Sequence, residues 1–109
     1  MSIVHTPQHP FIESSENDTY IGFIDGEQCT TMDLFYDAII RAMQLPDYFG
    51  RNLDALDEVL SDLSWIDYGV KFLIIQNSDE LLKAEKEMFG ELLATLMEVG
   101  NDDFEVVMS

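Results

Sequence analysis

The period of the apolar positions changes several times along the chain, and each change marks an element. Tyr20-Ile21-Gly22-Phe23-Ile24 is a short apolar run closed by the turn pair Asp25-Gly26, which predicts a strand. Thr30 and Thr31 are good N-cap residues. Beyond them Met32, Phe35, Tyr36, Ile39, Ile40 and Met43 recur at three- and four-residue steps, as one face of a helix does. Pro46 ends that helix, because the residue before a proline is pushed out of the helical region. Asp47 to Arg51 then reads as a loop, and Asn52 as the N-cap of a second helix with Leu53, Leu56, Val59, Leu60 and Leu63 inward.

Val70-Lys71-Phe72-Leu73-Ile74-Ile75 is apolar at consecutive positions, the pattern of a strand covered on both faces. Ser78 or Asp79 is expected to open a long third helix that turns Leu81, Leu82, Met88, Phe89, Leu92, Leu93, Leu96 and Met97 inward and ends at Gly100. Phe104 to Met108 predicts a last strand. The order strand, helix, helix, strand, helix, strand requires helical crossovers. The expected fold is therefore α/β, a small three-stranded parallel sheet packed by helices on one face. Residues 1–18 are polar, with two prolines and two histidines, and are read as a loosely ordered extension whose Phe11-Ile12 pair is suited to dock on the body. Residues 19–109 form the domain.

Composition narrows the partners. The 109 residues carry 22 Asp plus Glu against 5 Lys plus Arg, a formal charge of −17, on a chain that is 47% hydrophobic. Such apolar content belongs to a folding chain rather than to an acidic tail. The scarcity of cations excludes direct nucleic-acid binding, which needs a basic footprint, and disfavours anionic membrane surfaces. An acidic field favours a basic protein partner and, through self-repulsion, a free monomer. Cys29 is the only cysteine, so no intramolecular disulfide can form and a reducing cytoplasm is the simplest setting. The N-terminus lacks the basic start and apolar core of a secretory signal. No apolar run is long enough to span a membrane.

Little in the chain points to catalysis. His5 and His9 are spaced for a metal on a helix, but Pro7 and Pro10 oppose a helix there and no third ligand lies near. Cys29 has no histidine in the domain to activate it, and no glycine-rich loop follows a predicted strand. Carboxylates are plentiful without an evident cleft, so no enzyme, metal or cofactor is expected. One stretch carries more information. From Asn52 to Gly69 there are five acids (Asp54, Asp57, Glu58, Asp62 and Asp67) and no basic residue. Asp54, Asp57, Glu58 and Asp62 fall on one side of the second helix, with the aromatics Tyr48, Phe49 and Trp65 flanking it. Such a face suits the plugging of a basic cleft.

The run Leu45-Pro46-Asp47-Tyr48-Phe49-Gly50-Arg51-Asn52-Leu53-Asp54-Ala55-Leu56 resembles the signature of the barstar family, and Asp25-Gly26-Glu27-Gln28 is similar to that family's turn after its first strand. The resemblance covers residues 19–109. It implies a small α/β inhibitor of bacterial ribonucleases whose second helix and preceding loop seal the basic active site, with carboxylates in place of RNA phosphates. By the same resemblance Tyr48, Asn52 and Asp54 keep the residue types of contact positions. Glu58 stands where the family's most buried interface aspartate lies. Asp57 replaces a contacting tryptophan, Trp65 lies a little beyond another, and Thr95 falls where an interface glutamate is lost if Gly100 marks the helix end. These departures imply a partner different from the best-known one.

The expected function is that of an immunity or antitoxin-type inhibitor of a ribonuclease toxin, acting through Tyr48, Asn52, Asp54, Asp57, Glu58, Asp62 and Trp65. The alternative keeps the fold as an adaptor or regulatory module for a basic protein that is no nuclease.

Overall fold

In the computed structural model, which describes residues 10–109, one sheet runs in the order β1 (Phe11–Ser14), β2 (Thr19–Asp25), β3 (Val70–Gln76), β4 (Phe104–Met108). The last three strands are parallel, with Gly22 beside Leu73 and Leu73 beside Val106. Strand β1 lies antiparallel to β2 with Phe11 opposite Gly22. Helices α1 (Met32–Ala42) and α2 (Leu53–Asp62) connect β2 to β3, and α3 (Phe89–Glu98) connects β3 to β4. Right-handed crossovers between neighbouring parallel strands bring all three helices to one face.

That face is the core. Tyr20 and Ile24 of β2 and Leu73 and Ile75 of β3 are buried in one cluster with Phe35 and Ile39 of α1, Leu56 and Leu60 of α2, and Leu92 and Leu96 of α3. Each such side chain contributes about 1.5–3 kcal/mol relative to exposure. Two details fix the end of α1 against the sheet. The Tyr20 hydroxyl donates to the Ala42 carbonyl at 2.6 Å. Gly22 leaves room for the same turn, since a Cβ there would lie 2.7 Å from Met43 Sδ and 2.8 Å from the Ala42 oxygen.

Three expectations need correction. The sheet has four strands, not three, because part of the polar segment before residue 19 pairs with β2. Phe11 stacks on Tyr20 with ring centroids 5.3 Å apart, and the Phe23 N–H donates to the Pro10 carbonyl at 2.7 Å. The second face of the sheet is open. Phe72 and Ile74 are only partly buried and Val70 is 39% exposed, so the unbroken apolar run of β3 does not report two helical layers.

The long third helix is also divided. Turns at Ser78–Glu80 and Lys86–Met88 precede α3, and Leu82 takes the left-handed conformation at φ 58. The backbone there is diverted to the loop before α1, with Leu82 N–H donating to Cys29 O at 2.9 Å and Ala84 N–H to Thr30 O at 3.0 Å. Leu81 and Leu82 still reach the core, but Met97, expected inside, is 69% exposed. His5, His9 and the first nine residues of the extension lie outside the described residues. Among those described, no helix is long and apolar enough to cross a membrane, and no group of three or more His, Cys, Asp or Glu side chains is arranged to hold a metal ion.

Candidate protein-binding site

The geometry of the site begins with the cap of α2. Asn52 is extended at φ −147, and its Oδ1 accepts from the Ala55 N–H at 2.8 Å. This satisfies one of the orphan donors of the first turn and fixes where the helix starts. Leu56, Val59 and Leu60 bury inward, and Leu63 closes the helix in the left-handed region at φ 48. With the inward stripe fixed, Asp54, Asp57, Glu58, Ser61 and Asp62 all face out and are exposed.

None of those acids joins any ion pair among the described residues. Their polar contacts are local and weak: Asp57 accepts from Ser61 Oγ at 3.4 Å, and Asp62 from Ser64 Oγ at 3.2 Å. Asp54 in the first turn suits the positive end of the helix dipole. Asp62 sits at the negative end, where the last turn has no basic residue. Repulsion between acids three and four apart costs a few tenths of a kcal/mol per pair, on the order measured for like charges on isolated helices. Among the described residues the charge of α2 is thus left unpaired.

The preceding loop is held at two points on α1. Phe49 is buried edge-on against Tyr36, with centroids 5.7 Å apart. Arg51 forks onto Asp33 and Asp37 at 2.5 and 3.0 Å and lies over the Tyr36 ring. Its hydrogen bonds to Asp33 and then to Asp37 raise the guanidinium pKa above its ordinary value. Tyr48, just ahead of these anchors, is 72% exposed.

The structure thus brings Tyr48, Asn52, Asp54, Asp57, Glu58 and Asp62 to the loop and the outer side of α2. Trp65 is arranged differently. It packs half-buried on the core, and its Nε1 donates to the Met43 carbonyl at 2.9 Å. A shallow cleft of ≈ 550 Å³ borders the site, and Asn52, Asp54, Glu85 and Glu91 are among the residues that line it. Glu85 already accepts from the Met32 N–H at 2.6 Å, so it closes the start of α1 from a distant part of the chain. Sequence reasoning missed both glutamates and Arg51. They come from segments that only the tertiary fold brings together, and no local pattern signals them.

The whole is a small α/β protein whose distinctive surface is an acidic helix that no cation pairs among the described residues. Its sequence matches the family model described as barstar (barnase inhibitor) over residues 21–108, and the chain belongs to that family, whose members are inhibitors rather than enzymes. It is 28% identical over 88 residues to the Bacillus subtilis (strain 168) protein named "Putative ribonuclease inhibitor YrdF", an alignment spanning 78% of this chain and 93% of that protein. Strand β1 lies ahead of the residues that the family match covers.

Proposed function

We propose that this protein inhibits a basic ribonuclease by inserting the acidic side of α2 and the loop before it into the enzyme's active site. The observation that carries the reading is the set Asp54, Asp57, Glu58 and Asp62, which is exposed on one helix face and free of ion pairs among the described residues. A cleft evolved for RNA phosphates presents cations, and carboxylates on a rigid helix can occupy the phosphate positions without ordering a flexible chain. Tyr48 supplies an exposed ring at the rim, and Asn52 holds the helix end in place.

The family membership and the name of the Bacillus subtilis relative support a ribonuclease as the partner. Asp57 and Thr95, which depart from the family's contact residues, favour a target surface distinct from that of barnase. Thr95 donates to Glu91 O at 3.0 Å within its own helix, so its hydroxyl is already engaged. We place the action in the cytoplasm, as the immunity partner of a toxin that the same cell makes. A ribonuclease assay tests the reading, with barnase and with a secreted basic ribonuclease coded beside this protein's gene. Stoichiometric loss of activity of one of them is expected. Undiminished activity of both at a large excess of this protein would overturn it.

A further inference from the structure

Arg51 is a cation placed inside the acidic surface, between Gly50 and the helix cap Asn52, in a protein with only 5 Lys plus Arg. Its backbone takes the left-handed conformation at φ 53, which a residue with a Cβ adopts only when its surroundings hold it there. Its side chain turns away from the outer face of α2 and folds back on α1. Nη1 donates to Asp37 Oδ1 at 3.0 Å, while Nη2 donates to Asp33 Oδ1 at 2.5 Å and to the Asp33 carbonyl at 3.1 Å. The guanidinium carbon stands 5.6 Å from the centre of the Tyr36 ring, and that same ring meets Phe49 edge-on. Asp33 and Asp37 are a turn apart, so one planar fork spans both.

We infer that Arg51 is the positioning residue of the partner-facing loop: it pins the segment from Tyr48 to Asn52 on α1, so that the acidic face is preformed before the partner arrives. A lone exposed ion pair would be too weak to do this. Here two carboxylates, a carbonyl and an aromatic face act on one guanidinium, the networked, forked geometry in which exposed pairs do matter. The same contacts neutralise a charge that would otherwise repel a cationic partner. Phe49 and Arg51, on either side of Gly50, both grip Tyr36, leaving Tyr48 just ahead of them free to project.

The inference rests on reading this loop as partner-facing, and its test separates the two. Amide hydrogen exchange is measured on the full chain as wild type, Arg51→Ala and Arg51→Lys. Phe49 N–H, which donates to Pro46 O at 3.0 Å, and Ala55 N–H, capped by Asn52, report the loop, while Leu73 and Ile75 report the whole domain. In Arg51→Ala, exchange at Phe49 and Ala55 is expected to rise on the order of ten-fold with Leu73 and Ile75 unchanged. Arg51→Lys, which pairs with one carboxylate but cannot fork, should fall between. If the competent loop conformation drops to about a tenth of the population, the Kd for inactive barnase, used as the probe, rises by the same factor. Unchanged loop exchange, a rise shared equally by Leu73 and Ile75, or a loosened loop with undiminished barnase affinity would each overturn the role of Arg51. Failure of the wild type to bind barnase counts against barnase as the target alone, because the exchange comparison needs no partner.

Discussion

Tyr20 and Cys29 are the residues at which this core is most exposed to pH. Burial pushes the Tyr20 phenol from 10.0 up to about 12. It also pushes the Cys29 thiol from 9.0 up to about 11, with nearby Asp25 adding to the rise. In both cases the unfolded chain releases its proton at lower pH than the folded one. The stability they hold is therefore complete below pH 9 and is lost as pH climbs from 9 to about 12. Urea denaturation across that range should show a steep fall, and Cys29→Ala should delay its onset until the tyrosine begins to titrate at 10.0. A flat profile would refute the assignment. Trp65 makes a second prediction. Trp65→Phe removes the donor to Met43 O and should lower stability by about 1 kcal/mol in the same assay. Legibility at this scale follows the range of the contact. Asn52 as a cap is local, three residues from the N–H it binds, and could be read directly. The bonds of Arg51 to Asp33 and of Trp65 to Met43 cross 18 and 22 residues and leave no pattern in the chain.

At the scale of elements, α2 trades stability for surface. Asp62→Asn relieves repulsion at the negative end of the helix dipole and should raise stability by roughly 0.3–1 kcal/mol, measured by urea denaturation. A fall in stability would mean that Asp62 has a structural role its exposed position does not suggest. The opposite sign is expected where packing is tight. Gly22→Ala would force a methyl to 2.8 Å from the Ala42 oxygen, a backbone atom that cannot rotate away, and should destabilise by about 1–3 kcal/mol. The two helices before β3 were legible because cap, apolar period and Pro46 agree on their bounds. The third was overextended, since Leu81 and Leu82 have helical spacing yet owe their burial to a left-handed turn bonded to Cys29 and Thr30. Tertiary hydrogen bonds outweighed local propensity there. Strand β1 is four residues long with a burial pattern too ragged to show a period, and its partner β2 supplies what makes it a strand.

For the whole molecule the charge of −17 has two parts. Acids spread over the surface set a long-range field that draws in a cationic partner, and salt at about 0.15 M shortens its reach to roughly 8 Å. The association rate with a basic ribonuclease should therefore fall steeply as salt is raised, as stopped-flow mixing would show, while the dissociation rate changes little. A salt-insensitive association rate would remove the electrostatic part of the proposal. The acids of α2 are the local part, in direct contact once the complex forms. The affinity of Asp54→Ala combined with Glu58→Ala for the inhibited ribonuclease tests this most directly, with circular dichroism to establish that the domain stays folded. Both side chains are exposed, so the free protein should be intact. If they meet cations in a buried contact, losing them leaves those cations unpaired. Binding should then weaken by on the order of 3 kcal/mol or more, over a hundred-fold in Kd. A folded variant that binds as tightly as the wild type would show that the acidic face of α2 is not the contact.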